Sequence, residues 1–196
     1  MSGGGVFLTE NEITDSRVVP AASWVLIVAL ACVTLPPMAE GADAKPTLAV
    51  AIAVPENHGH RAIILNRQDS HFHVVVTNVS DQPQNLWREW CSWGYFNLLF
   101  QVTDQNGEEF TVTKKMHEWT KNYPDFLVLG PGEHLVIDAY PERDWDKFPL
   151  PATGKEKKVS IQAVYEIKPD DKTKESKIWT GRIASEKKEY TVYNWK

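Results

Sequence analysis

From Thr47 onward the chain is governed by a period of two, a spacing that leaves room for little except β-structure. The segment Thr47 to Val54 (TLAVAIAV) sets Leu48, Val50, Ile52 and Val54 on one side and alanines on the other. Residues two apart share a face only when the backbone is extended. Ser70 to Asn78 alternates Phe72, Val74 and Val76 against His71, His73 and Val75, and Lys158 to Ile167 alternates Val159, Ile161, Ala163 and Tyr165 in the same way. Further strands are expected over 61–65, 95–104, 109–113, 126–129, 133–139, 177–183 and 189–193. Turn chemistry separates them. Asn78-Val79-Ser80-Asp81-Gln82-Pro83, Asp104-Gln105-Asn106-Gly107 and Gly130-Pro131-Gly132 each carry residues that favour a reversal by their own mechanism.

These ten candidate segments, enough for a sandwich of about eight or nine strands, and the lack of a sizeable helical run predict an all-β fold. The expected form is an immunoglobulin-like antiparallel sandwich closed by Greek-key connections, with a closed barrel as the other arrangement. The segment Asn85 to Gly94 is expected to be a loop containing a helical turn at most. Lys168 to Lys177 (KPDDKTKESK) reads as a solvated hairpin loop.

The first forty-four residues read as an address rather than as part of the fold. Ala21 to Leu35 (AASWVLIVALACVTL) is apolar or small throughout, Arg17 precedes it, and a small-residue stretch ending Ala42-Asp43-Ala44 follows Pro36-Pro37. That is the layout of a signal segment, with cleavage expected after Ala44. Retention as an anchor is the alternative, although the run is shorter than the roughly 20 apolar residues of a spanning helix. Glu10, Glu12 and Asp15 outnumber Arg17 where a signal segment is ordinarily positive, so translation starting at Val6, Val18 or Val19 is a further reading. Cys32 lies within the apolar run and is poorly placed for lipidation.

Residues 45–196 are then expected to form one domain outside the cytoplasm. Taking Arg17, Glu10, Glu12, Asp15, Glu40 and Asp43 away from the 21 basic and 26 acidic residues of the chain leaves 20 and 21. Such a balance, with the basic residues scattered, offers no electrostatic footprint for nucleic acid. Cys91 becomes the lone cysteine, so no internal disulfide is expected and the core must supply the stability.

Tryptophan is the most suggestive residue type, with eight in the chain. Trp87, Trp90, Trp93, Trp119 and Trp145 fall in or near expected loops and are the candidate ligand-binding residues. An indole held on a rigid loop brings a large apolar area to a sugar ring or a protein partner at little entropic cost. The same indoles would serve equally to close the ends of a wide core. Both readings stand.

His71 and His73 emerge on one face of their strand, a dozen residues after His58-Gly59-His60. Copper or zinc suits such a set, but no carboxylate or thiolate lies at a telling spacing, and no metal or cofactor is assigned. Cys91 with His117 or His134 would make a thiol nucleophile and base, but no local signature surrounds it and an aromatic neighbourhood keeps a thiol inert. Glu89, Asp104, Glu118 and Asp138 cannot be paired into an acid and a base from spacing alone. No catalytic residues are assigned.

The three turn-bearing segments Asn78–Pro83, Phe100–Gly107 and Leu129–Glu133 occur in an order that resembles bacterial BsuPI-like proteinase-inhibitor domains, and extracytoplasmic immunoglobulin-like domains more generally. The likeness spans roughly residues 70 to 140 and implies a sandwich fold and inhibition through a loop. The chain departs from it by its export segment and by strands beyond residue 155. The segments Trp87–Phe96 and Trp119–Pro124 look like a pattern in exported bacterial proteins to which no activity attaches. The expectation is therefore an exported, non-catalytic binding or interaction module whose partner is a protein or a polysaccharide, at the cell envelope or outside the cell. A proteinase inhibitor and a small envelope hydrolase are its rivals.

Overall fold

The computed structural model describes residues 46–56, 62–65 and 71–194, with the backbone alone described at 64 and 65. These belong to one compact unit running from Asp43 to Lys196. The expected signal segment with Ala44 and Cys32, the His58-Gly59-His60 run and Trp195 lie outside the described residues.

The fold is all-β. Its strands are β1 (Leu48–Ala53), β2 (Ala62–Leu65), β3 (Phe72–Asn78), β4 (Gln84–Trp87), β5 (Leu98–Asp104), β6 (Glu109–Val112), β7 (Phe126–Leu129), β8 (His134–Ala139), β9 (Lys155–Ile167), β10 (Gly181–Ala184) and β11 (Lys188–Asn194). Two short helical turns, α1 (Ser92–Tyr95) and α2 (Asp171–Glu175), interrupt them. Among the described residues no helix is long and apolar enough to cross a membrane.

Three sheets form, ordered β1-β3-β8, β2-β11-β9-β5-β6 and β4-β7, with β10 added to one stretch of β9. Alternation decides what they bury. Phe72, Val74 and Val76 of β3, Phe100 and Val102 of β5, and Val159, Ile161, Ala163 and Tyr165 of β9 all face a single core. At roughly 25 cal/mol per Å² of apolar surface removed from water, that shared core is the main source of stability. The long strand β9 is its centre, pairing with β5, β11 and β10.

The chain corrects four expectations. Among the described residues eleven strands form, and the one that no expected segment covers is β4, where Asn85 is paired instead of lying in a loop. The pairing is not wholly antiparallel, since β2 runs parallel to β11, with Ala62 opposite Thr191 and Leu65 opposite Asn194. Tyr95 belongs to α1, and β5 begins only at Leu98. The Lys168–Lys177 stretch holds α2, where the Asp170 carboxylate accepts from Thr173 N at 2.7 Å and Thr173 Oγ1 accepts from Asp170 N at 2.8 Å. That reciprocal cap satisfies donors a helix start would otherwise leave bare.

The turn after β3 shows why its sequence was legible. Asn78 is fully buried, its Nδ2 donating to the Gln82 and Leu129 carbonyls at 2.8 Å each while its Oδ1 accepts from Ser80 N at 3.0 Å. An asparagine side chain that mimics backbone in this way closes a turn from within.

Candidate functional site

Two loops carry half of the described Trp, Tyr and Phe residues outside the buried core. The first, Arg88 to Phe96, follows β4 and contains α1; the second, His117 to Asp125, leads into β7. Gly94 lets the first lie close to its own root, since a Cβ there would stand 2.1 Å from the Arg88 carbonyl oxygen. The Cys91 carbonyl closes the turn by accepting from Gly94 N and Tyr95 N at 3.0 and 2.9 Å. Its thiol is buried and within hydrogen-bonding reach of the Arg88 and Asp125 carbonyls. A thiol packed among apolar neighbours behaves as a small hydrophobe. His134, one of the bases considered for it, stands on β8 with its Nδ1 2.8 Å from Thr77 Oγ1.

The two loops are fastened to each other. Arg88 N donates to the Asp125 carbonyl at 3.0 Å, and the Arg88 guanidinium pairs with the Asp125 carboxylate at 3.1 Å. Ser92 N donates to Asn122 Oδ1 at 3.1 Å, and Asn122 Nδ2 donates to Ser92 Oγ at 2.7 Å. Rings mounted on loops so tied lose little freedom when something docks on them, which is what a binding surface requires.

The candidate tryptophans divide between core and surface. Trp87 and Trp145 are each only 2% exposed and belong to the core, Trp145 packing on Phe100 with ring centroids 4.5 Å apart. Neither stands at the surface as an exposed indole, although Trp87, buried beside Leu86 at the end of β4, also contributes to the wall of the cleft described below. Trp90 is 43% exposed and meets Tyr123 edge-on at 4.9 Å. Trp119 is half-buried and stands edge-on to Tyr95 at 5.5 Å, with the His117 ring 4.6 Å from it. Trp93 is half-buried between Trp87 and the surface, and Phe96, 41% exposed, abuts Tyr95.

Beside these rings runs a cleft of about 370 Å³ whose walls include Trp93, Phe96, Asn97, Leu99, Glu166 and Lys168. Its lining combines aromatic and apolar side chains with residues that carry an amide, a carboxylate and an ammonium. Clefts that hold small ligands or chain segments combine these two elements, apolar area with a few placed polar groups.

Beneath the aromatic loops lies a charged pair that spacing did not reveal. The Lys114 side chain is 4% exposed and pairs with the Glu89 carboxylate, while its ammonium sits 4.4 Å from the centre of the Tyr95 ring. A cation over an aromatic face gains from the ring's quadrupole. Burial raises the Tyr95 hydroxyl pKa, and the carboxylates of Asp144 and Glu89 push it further the same way.

A second group of side chains lies on the outer face of the β1-β3-β8 sheet. His71, His73 and Asp138 each offer a ligand atom, and these all lie within 4.8 Å of one another. Asp138 is the carboxylate that spacing along the chain did not supply. It stands opposite His73 across the β3–β8 pair, 65 positions away. The other carboxylates considered are held apart, Asp104 near Lys157 and Glu89 with Lys114.

No protein-family model matches this chain, and no curated protein matches its sequence.

Proposed function

We propose that this chain is an exported, non-catalytic binding module that holds a polysaccharide in the cleft beside its aromatic loops. In this reading a signal segment ending at Ala44 is removed, and residues 45–196 act outside the cytoplasm as an immunoglobulin-like sandwich. The strand order supports that fold. The sheet β1-β3-β8 follows the A-B-E order of an immunoglobulin domain, and β11-β9-β5-β6 follows G-F-C-C′. The parallel β2–β11 pair fits a first strand divided between the two sheets.

The observation that carries the function is the composition of the cleft. Trp93 and Phe96 present rings, while Asn97, Glu166 and Lys168 present hydrogen-bonding groups of both kinds. A sugar ring has an apolar face and a hydroxyl rim, and needs both. Titration of the full chain with soluble xylo-, cello- and chito-oligosaccharides and peptidoglycan fragments, followed by calorimetry, tests the reading. At least one series is expected to bind, and Trp93→Ala with Phe96→Ala is expected to weaken it by tenfold or more, the equivalent of about 1.4 kcal/mol. No binding to any of these sugars at millimolar concentration would overturn the glycan assignment.

A further inference from the structure

We propose that His71, His73 and Asp138 form a binding site for a late first-row divalent cation, zinc being its simplest occupant. This site is on a different sheet from the aromatic cleft and does not depend on its function.

The geometry comes from register. His71 immediately precedes β3, and His73 is its second residue, so the two imidazoles leave the strand on the same side, ring centroids 4.9 Å apart. In the β3–β8 ladder His73 faces Asp138, and His73 Nδ1 lies 2.8 Å from Asp138 Oδ1. The intervening Phe72 points the other way and is fully buried, which fixes the strand beneath the two histidines. On the other flank β1 places only Ala53 opposite His73, so no large side chain arises from that position. Tyr140, which follows β8, stands against the His71 ring at 4.8 Å and limits its swing.

The ligand chemistry selects the cation. Two imidazole nitrogens with one carboxylate oxygen suit zinc, copper, nickel or iron, whereas magnesium and calcium call for oxygen throughout. Ligand atoms about 2.0–2.1 Å from a tetrahedral zinc stand about 3.3 Å apart. The His73–Asp138 contact is therefore shorter than a zinc edge by only about half an ångström. The cation takes the place of the proton that now bridges the two groups, and His71 closes the third corner. Three protein ligands leave a fourth position for water. Arg143, which lies over the Tyr140 ring at 3.6 Å, is itself paired with Asp144 through contacts of 2.7 and 2.9 Å.

Calorimetric titration of the full chain with zinc chloride at neutral pH decides the matter. One equivalent of zinc is expected to bind. His71→Ala with His73→Ala should weaken that event by at least tenfold, and Asp138→Asn by at least about tenfold, no less than loss of an outer-shell partner ordinarily costs a metal site. His117→Ala with His134→Ala should leave it unchanged, and excess magnesium should not compete. Thermal unfolding of each variant in the absence of metal verifies that the fold persists, the three residues being at least partly exposed. Failure of the unmodified chain to take up zinc, or equal affinity in the His71/His73 variant, would overturn the site. Full affinity in the Asp138 variant would remove the carboxylate from it.

Discussion

Lys114 shows how unequal the two members of an ion pair can be. Its side chain is 4% exposed against 36% for Glu89, so the ammonium has given up its water and the carboxylate has not. Removing the carboxylate strands a buried charge, a loss that ordinarily costs about 3–5 kcal/mol, whereas replacing the ammonium by an apolar chain of similar volume leaves only Glu89 unpaired, and that carboxylate keeps its access to water. Glu89→Ala is therefore expected to destabilise the protein by about 3 kcal/mol and Lys114→Met by no more than about 1 kcal/mol, as read from urea unfolding midpoints. The reverse order would mean that the Tyr95 and Trp145 rings, 4.4 and 5.6 Å from the ammonium, hold it without help. Neither partner stood out in the sequence. Lys114 follows an alternating strand and looks like one more solvated lysine, since nothing local records that Trp145 will bridge to it from behind. The tryptophans were ambiguous for the same reason. Trp87 and Trp90 are three residues apart in one aromatic run, yet one ends a paired strand facing the core and the other stands on a loop.

Among the elements, those with a local cause were readable. Strands β1, β3 and β9 announce themselves by alternation, and the Asn78 turn by a side chain that satisfies its own backbone. Helix α2 was missed because KPDDKTKESK is so highly charged that solvation is the obvious reading, although Asp170 and Thr173 stand three apart as a cap requires. The cap is the greater part of what defines so short a helix, which has few internal hydrogen bonds. Asp170→Ala is expected to lower stability by about 1 kcal/mol, and Asp170→Ser to restore most of it. Equal stability of the alanine variant in denaturant unfolding would show that α2 is held by packing around the buried Thr173 instead. The Asp138–His73 pairing belongs to this scale as well. It became visible only when β3 and β8 were set in register, and register between strands 65 positions apart is written in no local pattern.

At the scale of the whole molecule, one carboxylate joins the β5–β6 hairpin to the central strand. Asp104 closes β5, accepts from Asn106 N and Glu108 N at 2.8 and 3.1 Å, and reaches Lys157 of β9 at 3.3 Å. Burial alone would raise its pKa, but these donors outweigh burial and hold it below the ordinary carboxylate value. A group depressed in the folded state contributes stability above its unfolded pKa of about 3.9 and loses it as pH falls through the folded value. Unfolding midpoints of the native chain are thus expected to drop as pH falls below about 4, and to drop less steeply in Asp104→Asn. Identical pH profiles would show that other carboxylates govern acid unfolding. The sheet that this residue helps tie together has a further property, set by its outermost pair. Among the described residues β2 joins a sheet only through β11, and Ala62 must wait for Thr191. Contacts that distant in sequence make closure slow, because a long loop must be drawn in before any bond rewards it. A chain emerging residue by residue cannot complete its larger sheet until β11 has appeared, so β2 stays without its partner strand through all of the intervening synthesis. Such timing keeps a nascent polypeptide threadable through a narrow passage, the condition that the proposed export imposes.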